Sequence, residues 1–149
     1  PTGWYMRNPH LSAHEVSSEF GCRIFVKLMQ MTNQERKPTR IDTHDPKNWI
    51  FIQDRHLCPL YESEFEKTFL EKLVAHQSFI ESDKHGIEIF ILSGELANGS
   101  DLYPTGTWMR LPQNSHLALQ ATAQGAVLYV KRGHLQHAMD VWSNGYAPS

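Results

Sequence analysis

The chain repeats part of itself, and this repeat constrains the architecture more than any single motif. Residues 1–9 read PTGWYMRNP, and residues 104–112 read PTGTWMRLP. The correspondence continues from FVK at 25–27 to YVK at 129–131, with small gaps between the matching blocks. Because self-similarity at a fixed separation reflects repeated structural units, the sequence predicts two copies of one domain, the first present only as its C-terminal half.

The repeat also sets the predicted domain boundaries. We predict the second half of a first copy at residues 1–31, a polar linker at 32–48, a complete second copy at 49–135 and a polar tail at 136–149. A full copy of this length is within the usual range for a domain. The chain starts inside the repeated unit and without Met, so we expect further sequence upstream.

Composition excludes several classes of function. The net charge is −2, so there is no excess of basic residues of the kind that binds nucleic acid. Apolar runs are only a few residues long, too short for a membrane span. The two cysteines, Cys22 and Cys58, form no CxxC motif, and Cys22 lies in an apolar run where a buried free thiol is expected. This usage suits a cytoplasmic protein.

Hydrophobic patterning predicts an all-β fold. Five short apolar segments are predicted strands: residues 23–29, 49–52, 87–92, 107–111 and 126–131. Turn sequences follow at 97–101 and 112–115, whereas 65–74 is compatible with a strand or a helix. The mixed-charge residues between 62 and 72 are expected to form a solvated face. Short strands at roughly ten-residue spacing, separated by turns, indicate a sandwich or barrel.

Three separated blocks resemble the cupin superfamily, and more narrowly the ChrR-like cupins. They are GIEIFILSG at 86–94, YPTGTWMRLP at 103–112 followed by Ser115 and His116, and GAVLYVKRGHL at 125–135. The resemblance implies a double-stranded β-helix, or jelly roll, with one complete barrel and the C-terminal half of a preceding one. Such a fold encloses a small pocket between two sheets.

The resemblance also predicts where metal ligands would lie in the second copy. Metal-binding cupins use an HxH pair, a glutamate and a later histidine. Aligned on the family's glycine, the HxH positions fall on Glu81 and Asp83, the glutamate on Ile87 and the last histidine on His116. With one of four ligands retained, we expect this copy to be degenerate, with the isoleucine packed inside.

Two alternatives could still give the second copy a metal site. Glu81, Asp83 and His116 together would suit Mg²⁺, Mn²⁺ or Ca²⁺ better than Zn²⁺, and His85 could join them if the preceding loop is shorter. Glu88 cannot substitute for the missing carboxylate, because adjacent side chains on a strand point to opposite faces.

In the first copy, His14 corresponds to the last ligand, and its partners would lie upstream of Pro1. If that copy is completed, we expect a divalent metal there, zinc first and iron as the alternative.

Two classes of function follow from the resemblance. ChrR-like cupins are the C-terminal domains of zinc-dependent anti-sigma factors, which implies a transcription-regulating module that senses a metal or a small molecule in the barrel. A sigma factor would be held by a separate domain, which this chain does not contain. The alternative is a metal-dependent non-haem dioxygenase, so whether the protein is an enzyme stays open. We also expect a homodimer, with the outward-facing Phe90 and Leu92 packed against another barrel.

Overall fold

The computed structural model describes residues 3–9, 12, 15, 17–27 and 37–135. The chain divides into two compact units, Pro1–His44 and Asp45–Ser149. This division lies close to the end of the predicted linker. Among the described residues, regular structure is almost entirely strand, which confirms the predicted all-β class.

The first unit contains a two-stranded antiparallel sheet. Strand β1 (Trp4–Arg7) pairs with β2 (Thr39–Asp42), so part of the predicted linker is a strand. Residues 23–27, the described part of the predicted strand 23–29, are not in a strand, and Cys22 is exposed rather than buried. The repeat counterpart of 25–27 is hydrogen-bonded on both sides in the second unit. Within the described residues of the first unit, β1 and β2 pair only with each other, so 23–27 has no strand partner there.

The second unit begins with a short 3₁₀ turn at Pro46–Asn48 and continues with eight strands. They are β3 (Ile50–Ile52), β4 (Arg55–Glu62), β5 (Lys67–Leu73), β6 (Ser78–Asp83), β7 (Ile87–Asn98), β8 (Asp101–Pro104), β9 (Trp108–Leu111) and β10 (Ser115–Arg132). The ambiguous segment 65–74 is therefore a strand. The predicted turn at 97–101 is confirmed, because Asn98 pairs with Asp101 across a two-residue loop.

Two long strands, β7 and β10, each belong to both halves of the barrel. The first half of β10 pairs with β6 and the end of β7, and its second half pairs with β5 and the start of β7. β7 bends at Gly94 and β10 at Gly125, and both glycines have positive φ. The two backbones are so close that a Cβ on Gly94 would lie 2.0 Å from the carbonyl oxygen of Gly125. The sequence predicts a strand at 87–92 that stops at Ser93 and Gly94, which is wrong, because β7 continues through this glycine from one half of the barrel to the other.

The interior between the two halves is filled by apolar side chains. Ile87, Ile89 and Ile91 are fully buried, as the alternation of β7 predicts, and pack with Phe79 and Leu128. Each isoleucine removed from water stabilises the fold by about 1.5–3 kcal/mol. The barrel interior is thus a packed core, and the polar groups that enter it lie beside this core.

Candidate functional site

Two carboxylates enter the interior of the barrel beside the apolar core. Glu71 alternates with Phe69 and Leu73 on β5, so all three side chains point inward. Glu81 follows Phe79 by two residues on β6 and shares its face. Both glutamates are only 2% exposed. A buried carboxylate is costly unless it is paired, so these positions require cationic partners.

Arginines from two other strands supply those partners. Arg55 on β4 donates from Nε to Glu71 Oε1 over 2.8 Å, and its Nη2 donates to both glutamates. Arg132, at the end of β10, donates from Nη1 to Glu81 Oε2 over 2.9 Å. All four carboxylate oxygens therefore accept an N–H from arginine. We call these four residues the arginine–glutamate cluster.

An aromatic ring lies beneath both cations of the arginine–glutamate cluster. The guanidinium carbons of Arg55 and Arg132 lie 5.5 and 5.9 Å from the centroid of Phe69. A cation at this distance is attracted by the ring face. Hydrogen bonding with Glu71 raises the pKa of Arg55 above its usual value, and with the bond to Glu81 it outweighs the opposite effect of burial, so the arginine stays positively charged.

The structure separates the predicted metal ligands of the second copy. In the register of β6 and β10, Glu81 lies opposite Leu117, which packs on the core, whereas His116 lies opposite Ser82 on the other face. His116 is accordingly exposed. Strand parity thus directs Glu81 and His116 away from each other.

The other two candidates have local roles. Asp83 Oδ1 accepts the backbone N–H of His85 at 2.7 Å, which closes the turn between β6 and β7. Among the residues that the structure describes, no three His, Cys, Asp or Glu side chains group as metal ligands. His14 lies outside the described residues.

The donor set at the predicted metal position of the second unit does not fit a divalent cation. Both oxygens of Glu81 already accept arginine N–H groups, and Ile87 brings no ligand atom to the glutamate position. A metal would have to displace two guanidinium groups to reach the carboxylate.

Sequence reasoning missed the cluster because it placed the charged residues of 62–72 on a solvated face. That prediction is wrong for Glu66 and Glu71, which are both buried. The alternation of Phe69, Glu71 and Leu73 was the available signal, because it assigns Glu71 to the apolar face of a strand. Similarly, Leu117 and Leu119 in β10 indicate that His116 faces outward.

A second set of buried charges lies on the outer face of the same strands. Glu88 points away from the isoleucines, as predicted, but it is buried rather than solvated, with Oε2 3.2 Å from His134 Nε2. Lys131 Nζ lies 3.0 Å from Glu66 Oε2, and Glu66 Oε1 accepts the Thr68 hydroxyl. Ion pairing and hydrogen bonding compensate for the burial of these groups.

Comparison with known proteins gives the fold type. No family model matches the sequence, and no curated protein matches it. Among solved structures, the chain is similar to the cupin domain of Schizosaccharomyces pombe Cnp3, with a TM-score of 0.52 and 14% identity, over 78% of this chain and 85% of that one. The fold is a cupin-type jelly roll. The expected architecture of the barrel is therefore confirmed.

Two further solved structures are similar over a smaller share of this chain. One is a chain of the complex between Rhodobacter sphaeroides SigE and the anti-sigma ChrR, with a TM-score of 0.49 and 12% identity over 56% of this chain. The chain studied here spans about half of that chain, 48%. The other is an RmlC-like cupin from Shewanella frigidimarina, with a TM-score of 0.47 and 10% identity over 57% of this chain and 80% of that one.

Among the described residues, no helix is long and apolar enough to cross a membrane.

Proposed function

We propose that this protein is a regulatory cupin module that responds to a small ligand, and that its second copy does so without a metal ion of its own. One observation carries the proposal: both oxygens of Glu81, at the first predicted metal-ligand position, accept N–H groups from Arg55 and Arg132. In this proposal, an ion-pair network occupies the interior position that holds an ion in metal-binding cupins.

This arrangement favours binding over catalysis in the second copy. A non-haem dioxygenase needs an iron site with histidine and carboxylate ligands and vacant positions for its reactants. Ile87 and the outward-facing His116 do not support such a site. The alternative proposal, a dioxygenase, would depend on a first-copy site through His14.

The resemblance to ChrR-like cupins suggests the wider context of the proposal. In this view the module regulates transcription in the cytoplasm, with a sigma factor held by a separate domain and zinc, or else iron, bound by the first copy. A homodimer is also part of the proposal. It is supported by Leu92 and Trp108, which are 40% and 53% exposed on the neighbouring strands β7 and β9.

Ligand binding and turnover can be separated in one experiment. The protein is methyl-labelled at isoleucine and titrated with a library of neutral and anionic small molecules, with the signals of Ile89 and Ile91 as reporters of the interior. Each molecule that binds is then incubated with the protein, Fe²⁺ and oxygen. The proposal predicts saturable binding and recovery of the molecule unchanged. Oxygen consumption coupled to its conversion would overturn the regulatory assignment, and no binding by any molecule would overturn the ligand-sensing role.

A further inference from the structure

The two guanidinium groups of the arginine–glutamate cluster are neighbours. Arg55 and Arg132 donate to different oxygens of the same Glu81 carboxylate. They also share the ring of Phe69 as a contact surface. Shared anchoring by one carboxylate and one ring fixes the two cations side by side.

Each arginine keeps N–H donors that the glutamates do not use. A guanidinium has five N–H groups. Arg55 employs Nε and Nη2, and Arg132 employs Nη1. Among the described residues, Nη1 of Arg55 and both Nε and Nη2 of Arg132 have no acceptor.

The exposed part of the cluster is cationic. The arginine side chains are 30% exposed, whereas the carboxylates beneath them are 2% exposed and accept arginine N–H groups on every oxygen. Lys67 lies opposite Arg132 in the register of β5 and β10, but its Nζ pairs with Glu62 Oε1 over 3.4 Å, so the two guanidinium groups are the cations that the cluster offers. A ligand that approaches from solvent therefore meets N–H donors before it meets carboxylate oxygens.

We propose that Arg55 and Arg132 together bind an oxyanion group of the ligand, specifically the carboxylate of a small organic acid. The planar fork of a guanidinium matches the two oxygens of a carboxylate, and the bond from Nη1 to Glu81 leaves Nε and Nη2 of Arg132 as such a fork. Arg55, whose Nε and Nη2 are bonded to the glutamates, adds its Nη1. The inference rests on the proposed function, because it names the chemical class of the small ligand. Phosphate offers the same oxyanion chemistry, so the test includes it as a separate arm.

The test is an NMR titration of the ¹⁵N-labelled protein that follows the Nε–H signals of Arg55 and Arg132. The probes are succinate, inorganic phosphate and the uncharged succinamide, all at one ionic strength held by sodium chloride. Succinate is expected to shift the Arg132 Nε–H signal saturably, and succinamide is not. If phosphate binds at least tenfold more tightly than succinate at these signals, the carboxylate assignment is overturned in favour of phosphate.

Variants decide whether the arginines themselves bind the anion. Arg132→Gln is expected to weaken succinate binding at least tenfold, because it removes charged hydrogen bonds. Arg132→Lys retains the charge and the ion pair with Glu81, so it is expected to bind succinate with intermediate affinity. This variant tests the inference if the glutamine variant does not fold. Arg110→Gln is the matched control, since Arg110 is exposed on β9 and pairs in register with Glu88 on the opposite face.

Two negative results have different meanings. In the first, neutral molecules perturb the interior isoleucine signals but no anion shifts the Arg132 signal, or the Arg132 variants bind succinate as the native protein does. The oxyanion inference is then wrong, and the ligand-sensing role stands. If neither neutral nor anionic molecules bind, both proposals are wrong.

Discussion

Arg132 donates to Glu81 over 2.9 Å and so joins the end of the last strand to β6, which pairs with the opposite half of that same strand. This contact, with the bonds from Arg55, connects the two halves of the barrel at Glu81, the first predicted metal-ligand position. The cluster can thus provide the cross-barrel connection that a metal would otherwise give.

The first prediction concerns the stability that Glu81 provides. Glu81→Gln removes the negative charge shared by Arg55 and Arg132, and we expect the free energy of unfolding to fall by about 2–3 kcal/mol. The control is Glu62→Gln, because Glu62 and its partner Lys67 are both exposed, and such pairs contribute about 0–1 kcal/mol. Urea denaturation measures both changes. Equal effects of the two substitutions would contradict the role given to the cluster.

A second prediction concerns the bend in β7. Gly94→Ala would place a Cβ 2.0 Å from the Gly125 carbonyl oxygen in a backbone with φ +76°, so we expect a loss of roughly 3 kcal/mol or more. Gly106→Ala is the matched control: φ is +90°, but among the described residues no atom beyond its chain neighbours lies within 4 Å of the added Cβ. It should cost only the backbone strain, about 1–2 kcal/mol. Thermal melting of both variants gives the comparison, and similar losses would argue against close packing at the bend.

The third prediction concerns the two free thiols. Burial raises the pKa of the Cys58 thiol, whereas Cys22 is exposed. A thiol-modifying reagent such as DTNB should therefore react with Cys22 in the native protein and with Cys58 only after unfolding. Rapid modification of both in the native state would contradict the burial of Cys58.

The same burial predicts how stability depends on pH. The folded state holds the Cys58 proton more tightly than the unfolded state does, so the stabilising contribution is complete below the unfolded pKa. It declines as pH rises above that value of about 8.5, because only the unfolded thiol ionises. Urea denaturation between pH 7 and 10 should show this decline, and Cys58→Ala should reduce it relative to Cys22→Ala.

A fourth prediction addresses the proposed homodimer. Leu92→Arg and Trp108→Arg place charges on the exposed outer face of β7 and β9, and either should convert a dimer to a monomer in light scattering after size exclusion. Leu102→Arg is the control, because Leu102 is also exposed but lies on β8. A native protein that is already monomeric, or a dimer that both substitutions leave intact, would contradict this interface.

Local patterns predicted the barrel strands better than the site. The alternation of Ile87, Ile89 and Ile91 identifies the interior face of β7, and the turn at 97–101 identifies a hairpin, because both signals lie within one short segment. The cluster depends instead on residues far apart in sequence: Arg55 and Glu81 are 26 positions apart, and Glu81 and Arg132 are 51 apart. Only the pairing of distant strands brings these residues together.

The same reason explains why the sequence did not predict that β7 and β10 continue through their glycines. Gly94 and Gly125 resemble strand ends in sequence, yet each lies inside a long strand with positive φ, and the carbonyl of Gly125 lies directly against Gly94. A close approach between two glycines 31 positions apart is a tertiary feature, and a single segment gives no signal for it.

The central claim is that the arginine–glutamate cluster takes the place of a metal in the second copy. Elemental analysis of the purified protein by mass spectrometry, before and after incubation with Zn²⁺ or Fe²⁺ and desalting, tests it most directly. The account predicts that Asp83→Asn and His116→Ala leave the bound amount of either metal unchanged, because any ion that is bound would belong to the site proposed for the first copy. Close to one equivalent that is lost in Asp83→Asn or His116→Ala would contradict it, because those residues would then hold a real metal site.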